Sequence, residues 1–356
     1  MKFGIVGLGG PSSQLLLEEA KQYFDSVDAI DIRNIEVETN NKDISVIYND
    51  KPLGKYDCLY IKGSYKYSLL QRSLTSTLQN SSYLPIKPDA FTVGHDKFLT
   101  LIALKGNKIP IPKTYLAATT KIARKILSRV EYPIMIKIPS GTQGKGVMVA
   151  DTIASAKSVL DTLEIFKQPY IIEEYVETGA TDIRCIVAGS KVIASMERKA
   201  IPGELRANIH LGAVGTPVEL DYNTKQIAIK SAEIIGAEIC GVDILQGREP
   251  YVIEVNLSPG LIGITKATKK NVAREIVEYL YNRTQELSNT KKEKDYNGVL
   301  KELNLTGSSY KQEILTNLDI KSGRIKLPTV VTELSGFKPD EEVKLIAEKG
   351  KILIKK

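Results

Sequence analysis

The chain has 356 residues, 42% of them apolar and 26% charged, which leaves room for two or three compact units and excludes a fibrous or wholly disordered protein. Its 49 basic and 42 acidic residues give a formal charge of +7, a mixed surface rather than a polybasic one, and no apolar run approaches the ~18 residues a membrane span needs. Two histidines and three scattered cysteines (Cys58, Cys185 and Cys240) without a CxxC pair argue against imidazole chemistry, a zinc site and a disulfide framework, so any metal is expected on oxygen ligands. The opening MKFGIVGLGG lacks the long apolar region and cleavage site of a signal peptide, and a cytoplasmic location is expected.

In chain order, residues 2–6 read as a short apolar strand, glycines follow at 7, 9 and 10, and leucines recur at helical spacing over 12–24, a βα unit. Gly7-Leu8-Gly9-Gly10-Pro11-Ser12 does not complete GxGxxG, so a turn is preferred to a dinucleotide loop. Residues 58–61 and 83–86 read as further buried strands, which makes 1–87 a small α/β domain. Over 88–285, strands are expected at 132–137, 170–174, 183–188 and 192–196, and hairpin-like pairs give this part α+β character. The polar run 288–295 marks a linker or a frayed helix end, within a connecting stretch over 286–316. Residues 317–356 read as a strand, a short helix from Pro328 closed by Gly336, and two more strands at 343–347 and 352–354. So short a segment hardly buries a core alone, and dimerisation or docking is expected.

The strongest chemical signal is Asp243 in GVDIL, followed by Glu254 and Asn256 in YVIEVNLSPG. Both stretches are strand-like. Residues two apart share a strand face, so Glu254 and Asn256 present oxygens side by side, and Asp243 approaches from the neighbouring strand across a turn at 246–250. Two carboxylates and an amide match the hard-ligand preference of Mg²⁺. An ordinary hairpin with outward polar residues would leave Asn-Leu-Ser-Pro-Gly without a reason. Lys137 lies inside the apolar run IMIKI, where burial calls for a neutralising anion such as phosphate. The following SGTQGKG supplies Gly141, Gly144 and Gly146, a loop able to close over phosphate oxygens with main-chain N–H groups, although it is not a Walker A loop. Alone it is equally a glycine-rich turn. Charged residues also punctuate apolar strands at Glu173-Glu174-Tyr175, Asp182-Ile183-Arg184, Glu197-Arg198-Lys199 and Arg206-Ala207-Asn208, where exposed strand faces are an equal alternative.

Residues from about 57 to 282 resemble the RimK-like ATP-grasp amino acid ligases, in IIEEYVETGATDIRCIVAGSKVIASMERKA, GELRANIHLGA, EICGVDIL and YVIEVNLSPGLIGITKAT. The resemblance implies an ATP-grasp fold of mixed α/β and α+β class: an N-terminal pre-ATP-grasp α/β domain over 1–87, an ATP-grasp domain of two subdomains over 88–285, a linker over 286–316, and a small β-rich module over 317–356. It implies Lys97 and Lys137 as phosphate-contacting lysines, Gly141 to Gly146 as the covering loop, Glu174 and Tyr175 as the hinge at adenine, and Asp182 at the ribose. Arg206 and Asn208 are implied at the phosphates and metal, and Asp243, Glu254 and Asn256 as ligands of two Mg²⁺ ions, with Mn²⁺ as the substitute. The implied reaction joins an amino acid, L-glutamate, to a carboxylate acceptor that is a metabolite or a protein C-terminus, through an acyl phosphate with ADP released. Arg206 and Lys137 are its catalytic residues. Where many relatives read Arg-Arg and HRGG, this chain has Arg198-Lys199 and His210-Leu211-Gly212-Ala213, which removes a guanidinium near the expected substrate pocket and leaves Arg198 and Lys199 as candidate substrate contacts.

The tail from about Ile320, GRIKLPTVVTELSGFKPDEEVKLIAEKGKILIKK, resembles the AbrB-type swapped-hairpin module, which implies a homodimer or homotetramer. Residues 291–356 hold 14 basic and 10 acidic side chains, including Asp340-Glu341-Glu342, so DNA is not the expected partner. Two other readings stay open: a ligase acting on an acidic carrier protein, of the lysine or arginine biosynthesis type, and an ATP-sensing DNA-binding regulator.

Overall fold

The computed structural model describes residues 1–41, 43–139, 146–201 and 214–302 and, in the tail, 319–321, 324–328, 331–332, 335–338 and 341–355. Two compact units divide the chain, Met1–Lys292 and Glu293–Lys356. The first begins with β1 (Lys2–Gly7), α1 (Pro11–Ala20), β2 (Ser26–Asp31), an antiparallel ribbon of β3 (Ile35–Thr39), β4 (Ile44–Tyr48) and β5 (Lys51–Pro52), then β6 (Cys58–Ile61) and α2 (Ser68–Leu78). β1 is the central strand of a parallel sheet ordered β2-β1-β6. Pro11 opens α1, where its fixed φ suits a helix and its missing N–H would have no intrahelical acceptor, and Ser13, Leu16 and Ala20 turn inward at helical spacing. The strand expected at 83–86 does not form. Tyr83 and Ile86 make only isolated bridges, to Cys58 and Ala237, because Pro85 and Pro88 remove the ladder donors a strand would need.

Next come α3 (Ala90–Val93) and α4 (Lys97–Gly106), followed by a four-stranded antiparallel sheet ordered β7-β10-β8-β9. Its strands are β7 (Thr114–Leu116), β8 (Ile134–Lys137), β9 (Val147–Ala150) and β10 (Ile171–Glu174), with α5 (Thr120–Leu127) and α6 (Ile153–Ile165) in the connections. Ile134, Ile136 and Ile172 pack with Ala123, Ile126, Leu127 and Leu160 into a core of their own. The two-residue period therefore leaves Met135, Lys137 and Glu173 on the opposite face.

A five-stranded antiparallel sheet, ordered β13-β12-β11-β14-β15, follows from β11 (Thr181–Ala188), β12 (Lys191–Lys199), β13 (Val214–Pro217), β14 (Ile239–Gln246) and β15 (Pro250–Asn256). Between β13 and β14, α7 (Tyr222–Ile235) starts at Asp221, whose side chain accepts from the Thr224 N–H, and stops at Gly236 in the left-handed conformation. It packs on β11, β12, β14 and β15, and Ile183, Cys185, Val242 and Ile244 are buried with Ile227 and Ala232 in the large core shared with the N-terminal sheet. All three cysteines are buried and unpaired. α8 (Ile262–Thr268) and α9 (Val272–Glu302) complete the series. Residues 288–295, expected as a linker or frayed end, lie within α9: the run has Lys and Glu, good helix formers, and no Gly or Pro to break it.

In the second unit β16 (Asp319–Lys321) pairs with β17 (Arg324–Lys326), and β18 (Lys344–Glu348) with β19 (Lys351–Lys355), as two antiparallel hairpins. β16 is a strand beyond those expected there. The Val331 N–H donates to Pro328 O, and Gly336 has φ +63, the left-handed stop expected of it. Among the described residues no helix is long and apolar enough to cross a membrane.

Candidate active site

The polar face of the five-stranded sheet follows from strand register. Asp182 stands opposite Arg198 across β11 and β12, Arg184 opposite Asp243 across β11 and β14, and Asp243 opposite Glu254 across β14 and β15. Arg198 donates to both oxygens of Asp182 at 2.6 and 2.7 Å, Arg184 to both oxygens of Asp243 at 2.7 and 2.6 Å, and Arg198 also reaches Asp243 at 3.1 Å. Burial alone would raise the Asp243 carboxyl, but the two guanidinium groups outweigh it and hold this group below the usual carboxylate range. Burial pushes the Asp182 carboxyl up, and Arg198 offsets only part of that.

A β-bulge between Asp243 and Ile244 makes Ile253 an extra residue on β15. Val252 and Val255 thereby both turn to the core opposite Ile244 and Val242, while Glu254 and Asn256 turn to the side of Asp243. The Asn256 amide lies 3.4 Å from an Asp243 oxygen; in the amide orientation that satisfies both its ends, its nitrogen is 3.3 Å from Glu254 and its oxygen 3.2 Å from Arg184. The structure thus brings Asp243, Glu254 and Asn256 together. Opposite Asn256 stands Gly241, where an added Cβ would come 3.1 Å from Pro259, so the Asn-Leu-Ser-Pro-Gly turn folds back over β14 only above a glycine. Two carboxylates and an amide form an all-oxygen donor set; Asp243 Oδ2 is taken up by Arg184 and Arg198, while Asp243 Oδ1 accepts only from Arg184 and keeps a lone pair beside Glu254, so the group fits Mg²⁺.

Asp96 caps α4 by accepting from the Phe98 and Leu99 N–H groups at 2.8 and 2.9 Å, which sets Lys97 at the first helical position. α4 packs on β15, and Lys97 Nζ lies 4.0 Å from Glu254 Oε1. The Lys97 N–H also donates to Pro139 O at 3.2 Å, on the stretch leaving β8. Lys137, at the end of β8, is 8% exposed and its ammonium is paired with Glu173 of β10. A protein carboxylate thus stands beside the lysine for which a phosphate was expected, and Glu173 Oε2 is left buried without a hydrogen-bond partner. Beyond Lys137, the Ile138 N–H bonds to Gly146 O at 2.8 Å and Gly146 has φ +76. Gly141, Gly144, Arg206, Asn208 and the stretch from His210 to Ala213 lie outside the described residues.

Three further sets of expected site residues have these surroundings. Both oxygens of Asp182, expected at the ribose, accept from Arg198 of β12. Arg198 and Lys199, expected as a pair of substrate contacts, fall on opposite faces of β12: the first is buried between two carboxylates and the second is exposed at the strand end. Glu174 accepts from the Tyr115 hydroxyl at 2.8 Å and pairs with Lys113 at 2.9 Å, and its N–H donates to Lys113 O at 2.9 Å, so both side chain and N–H of this half-buried hinge residue are engaged within the chain. Arg184 and Glu173 were not singled out from the sequence, although each stands in a charged triplet beside a chosen residue. A cavity of about 960 Å³ elsewhere, lined by Tyr83, Lys87, Glu238, Tyr279 and Arg283 among others, contains none of these residues.

A parallel α/β domain followed by two antiparallel sheets, one presenting a buried lysine and the other clustered carboxylates, is the arrangement of an ATP-grasp ligase, an ADP-forming carboxylate–amine ligase. Residues 94–280 match the RimK-like ATP-grasp domain family. The chain is 33% identical over 284 residues to the probable alpha-L-glutamate ligase of Marinomonas sp. (strain MWYL1), a match covering 79% of this chain and 94% of that relative. It belongs to the RimK-like ATP-grasp family. Among solved structures, the ATP-grasp ligase PsnB complexed with a phosphomimetic variant of minimal precursor, Mg and ADP has a TM-score of 0.62 at 15% identity, covering 79% of this chain and 98% of that one. The D-alanine–D-alanine ligase from Bacillus anthracis has a TM-score of 0.55 at 15% identity over 82% of this chain and 99% of its own.

Proposed function

We propose that this protein adds L-glutamate to a carboxylate acceptor, a metabolite or a peptide end, with ATP cleaved to ADP and phosphate. The observation that carries this reading is the gathering of Asp243, Glu254 and Asn256 on one sheet face with Lys97 Nζ 4.0 Å from Glu254. Glutamate is supported by the name of the relative reported above, and Mg²⁺ by the oxygen donor set. Asp243, Glu254 and Asn256 would hold Mg²⁺, which when bound supplies positive charge against the phosphate oxygens.

The chain's own residues then divide the work. Lys97 and Lys137 offset negative charge on ATP. Arg184 and Arg198 keep Asp243 ionised and fix its orientation, and Glu174 and Tyr175 form the hinge that meets the adenine. The acceptor carboxylate attacks the terminal phosphate to give an acyl phosphate, and the amino group of glutamate displaces phosphate from it. Arg206, which lies outside the described residues, is the residue assigned to the oxygens that gain charge. Protein incubated with ATP, Mg²⁺, L-glutamate and mixed carboxylates should release ADP, and mass spectrometry should find products heavier by one or more glutamyl residues. No ADP release with any amino acid and carboxylate mixture overturns the reading.

For the tail, the proposed role is to join two copies of the chain in the manner of an AbrB-type hairpin module. It is supported by Ile320, Ile325, Leu345 and Ile352, whose apolar side chains stand exposed on the two hairpins of the second unit.

A further inference from the structure

Lys62 is a lysine this mechanism does not use. It directly follows β6 at the carboxyl end of the parallel sheet, the end at which open sheets of this kind leave a crevice for ligands. Its N–H continues the pairing with β1 by donating to Val6 O at 2.9 Å. On the same strand face as Tyr60, its ammonium lies 5.6 Å from the centre of that ring. The residue is 4% exposed, and among the described residues it has no carboxylate partner. Desolvation without an opposing charge holds the ammonium down to about 8. A buried lysine of this kind lacks an anion.

Gln71 on α2 is a second group in want of a partner. It is fully buried, its Oε1 lies 3.1 Å from His95 Nε2, and its Nε2 makes no hydrogen bond. Gln71 reaches the turn that follows Lys62: the adjoining Gly63 has φ +150, and an added Cβ there would sit 3.0 Å from Gln71 Nε2. At the same end of the sheet the loop leaving β1 opens on free space, since an added Cβ at Gly9 or Gly10 would meet nothing within 4 Å. Ser12 Oγ, just beyond, accepts from the Leu261 N–H at 2.9 Å, which ties this loop to the turn following Asn256.

We propose that Lys62 and Gln71 bind a carboxylate of the acceptor substrate at the carboxyl ends of β1 and β6. Both groups have hydrogens to give and no further acceptor to offer, so their ligand is an anion. The proposal rests on the ligase reading, in which Lys97 and Lys137 serve the nucleotide phosphates and the acceptor is a carboxylic acid. An acceptor with a second, non-reacting carboxylate would be anchored there while the other reacts.

The test titrates the full chain, with Mg²⁺ and a non-hydrolysable ATP analogue present, against glutarate and separately against inorganic phosphate, following heat and melting temperature. Glutarate should bind the wild type, and Lys62→Met and Gln71→Leu should each weaken it about tenfold or more, with the affinity for the ATP analogue unchanged. Exchanging a buried ammonium for a thioether of similar length removes an unpaired charge, so Lys62→Met should melt at least as high as the wild type; Gln71→Leu decides the matter should Lys62→Met fail to fold. Three outcomes overturn the proposal: no glutarate binding by the wild type, equal binding by the variants, or phosphate binding in place of glutarate with the same dependence on Lys62. ADP release with L-glutamate is measured apart, so that glutarate binding dependent on Lys62 without ADP release would leave this site standing and reject the glutamate reading alone.

Discussion

Arg184 closes on both oxygens of Asp243, at 2.7 and 2.6 Å, so the carboxylate best placed to hold a metal ion is already oriented by a guanidinium from the neighbouring strand. A carboxylate free to rotate would have to be ordered when a metal binds. This one is ordered beforehand, and its ionised form is favoured.

Arg184→Met should therefore act through the metal. Loss of a residue that orients a metal ligand typically costs about 10–100-fold in metal affinity or activity. The Mg²⁺ concentration giving half-maximal ADP release should rise by that order, measured across a Mg²⁺ titration at saturating ATP. An unchanged Mg²⁺ dependence would show that Arg184 has only a structural part.

Asp243→Asn alters a proposed metal ligand and leaves Arg184 and Arg198 short of a counter-charge. ADP release should be abolished, and stability should fall by about 3–5 kcal/mol, the usual cost of breaking a buried ion pair. Urea melts beside the activity assay separate the two effects, since folded but inactive protein is expected below the denaturation midpoint.

Lys137 and Glu173 offer a cleaner separation. Lys137→Met strands a carboxylate that is 2% exposed and should destabilise the protein by about 3–5 kcal/mol. Replacing both, as Lys137→Met with Glu173→Met, should recover most of that stability without recovering turnover. Recovery of ADP release in the double variant would remove Lys137 from the chemistry.

His95 gives a pH dependence with a definite sign. Burial lowers its imidazole to about 4, against about 6.5 in an unfolded chain. Between these values the unfolded chain holds a proton that the folded chain does not, so the stability this group contributes is present above about 6.5 and is lost as pH falls toward 4. Melting temperatures at pH 7, 5 and 4 should fall less steeply in His95→Gln than in the wild type, and parallel curves would contradict the assignment.

A chain ending at Lys292 keeps the whole first unit, including the Asp243 group and both lysines. It should still release ADP, and light scattering should show it in a smaller assembly than the full chain. A DNA mobility shift by the full chain at physiological salt, lost on this truncation, would favour the regulator reading instead.

What could be read from the sequence depended on how far apart the interacting residues lie. Glu254 and Asn256 share a strand, and Asp243 is one tight turn away, so their convergence follows from the two-residue period. The bulge at Ile253 is not visible there, because nothing in YVIEVN marks where the strand gains a residue. Arg184 was passed over for a related reason: its partner lies on β14, and the β11–β14 register is set by tertiary packing. Lys137 was recognised as a lysine needing an anion, while the carboxylate that supplies it stands on β10, beyond the intervening β9 and α6. Residues 288–295 read as a linker because they carry no apolar period, although their Lys and Glu are good helix formers and the run lies within α9.

The charges on β12, β11 and β14 also act as a lock on strand alignment. A slip of one residue along β11 would carry Asp182 and Arg184 into the packed side and bring Ile183 and Cys185 to the cleft, leaving Arg198 and Asp243 without opposite numbers. Misaligned pairings would thus be far less stable than the native one, even though every main-chain hydrogen bond could still form. A change of sign at one member of either pair should be tolerated only with the reciprocal change at the other, a constraint that holds whether or not a nucleotide is ever bound.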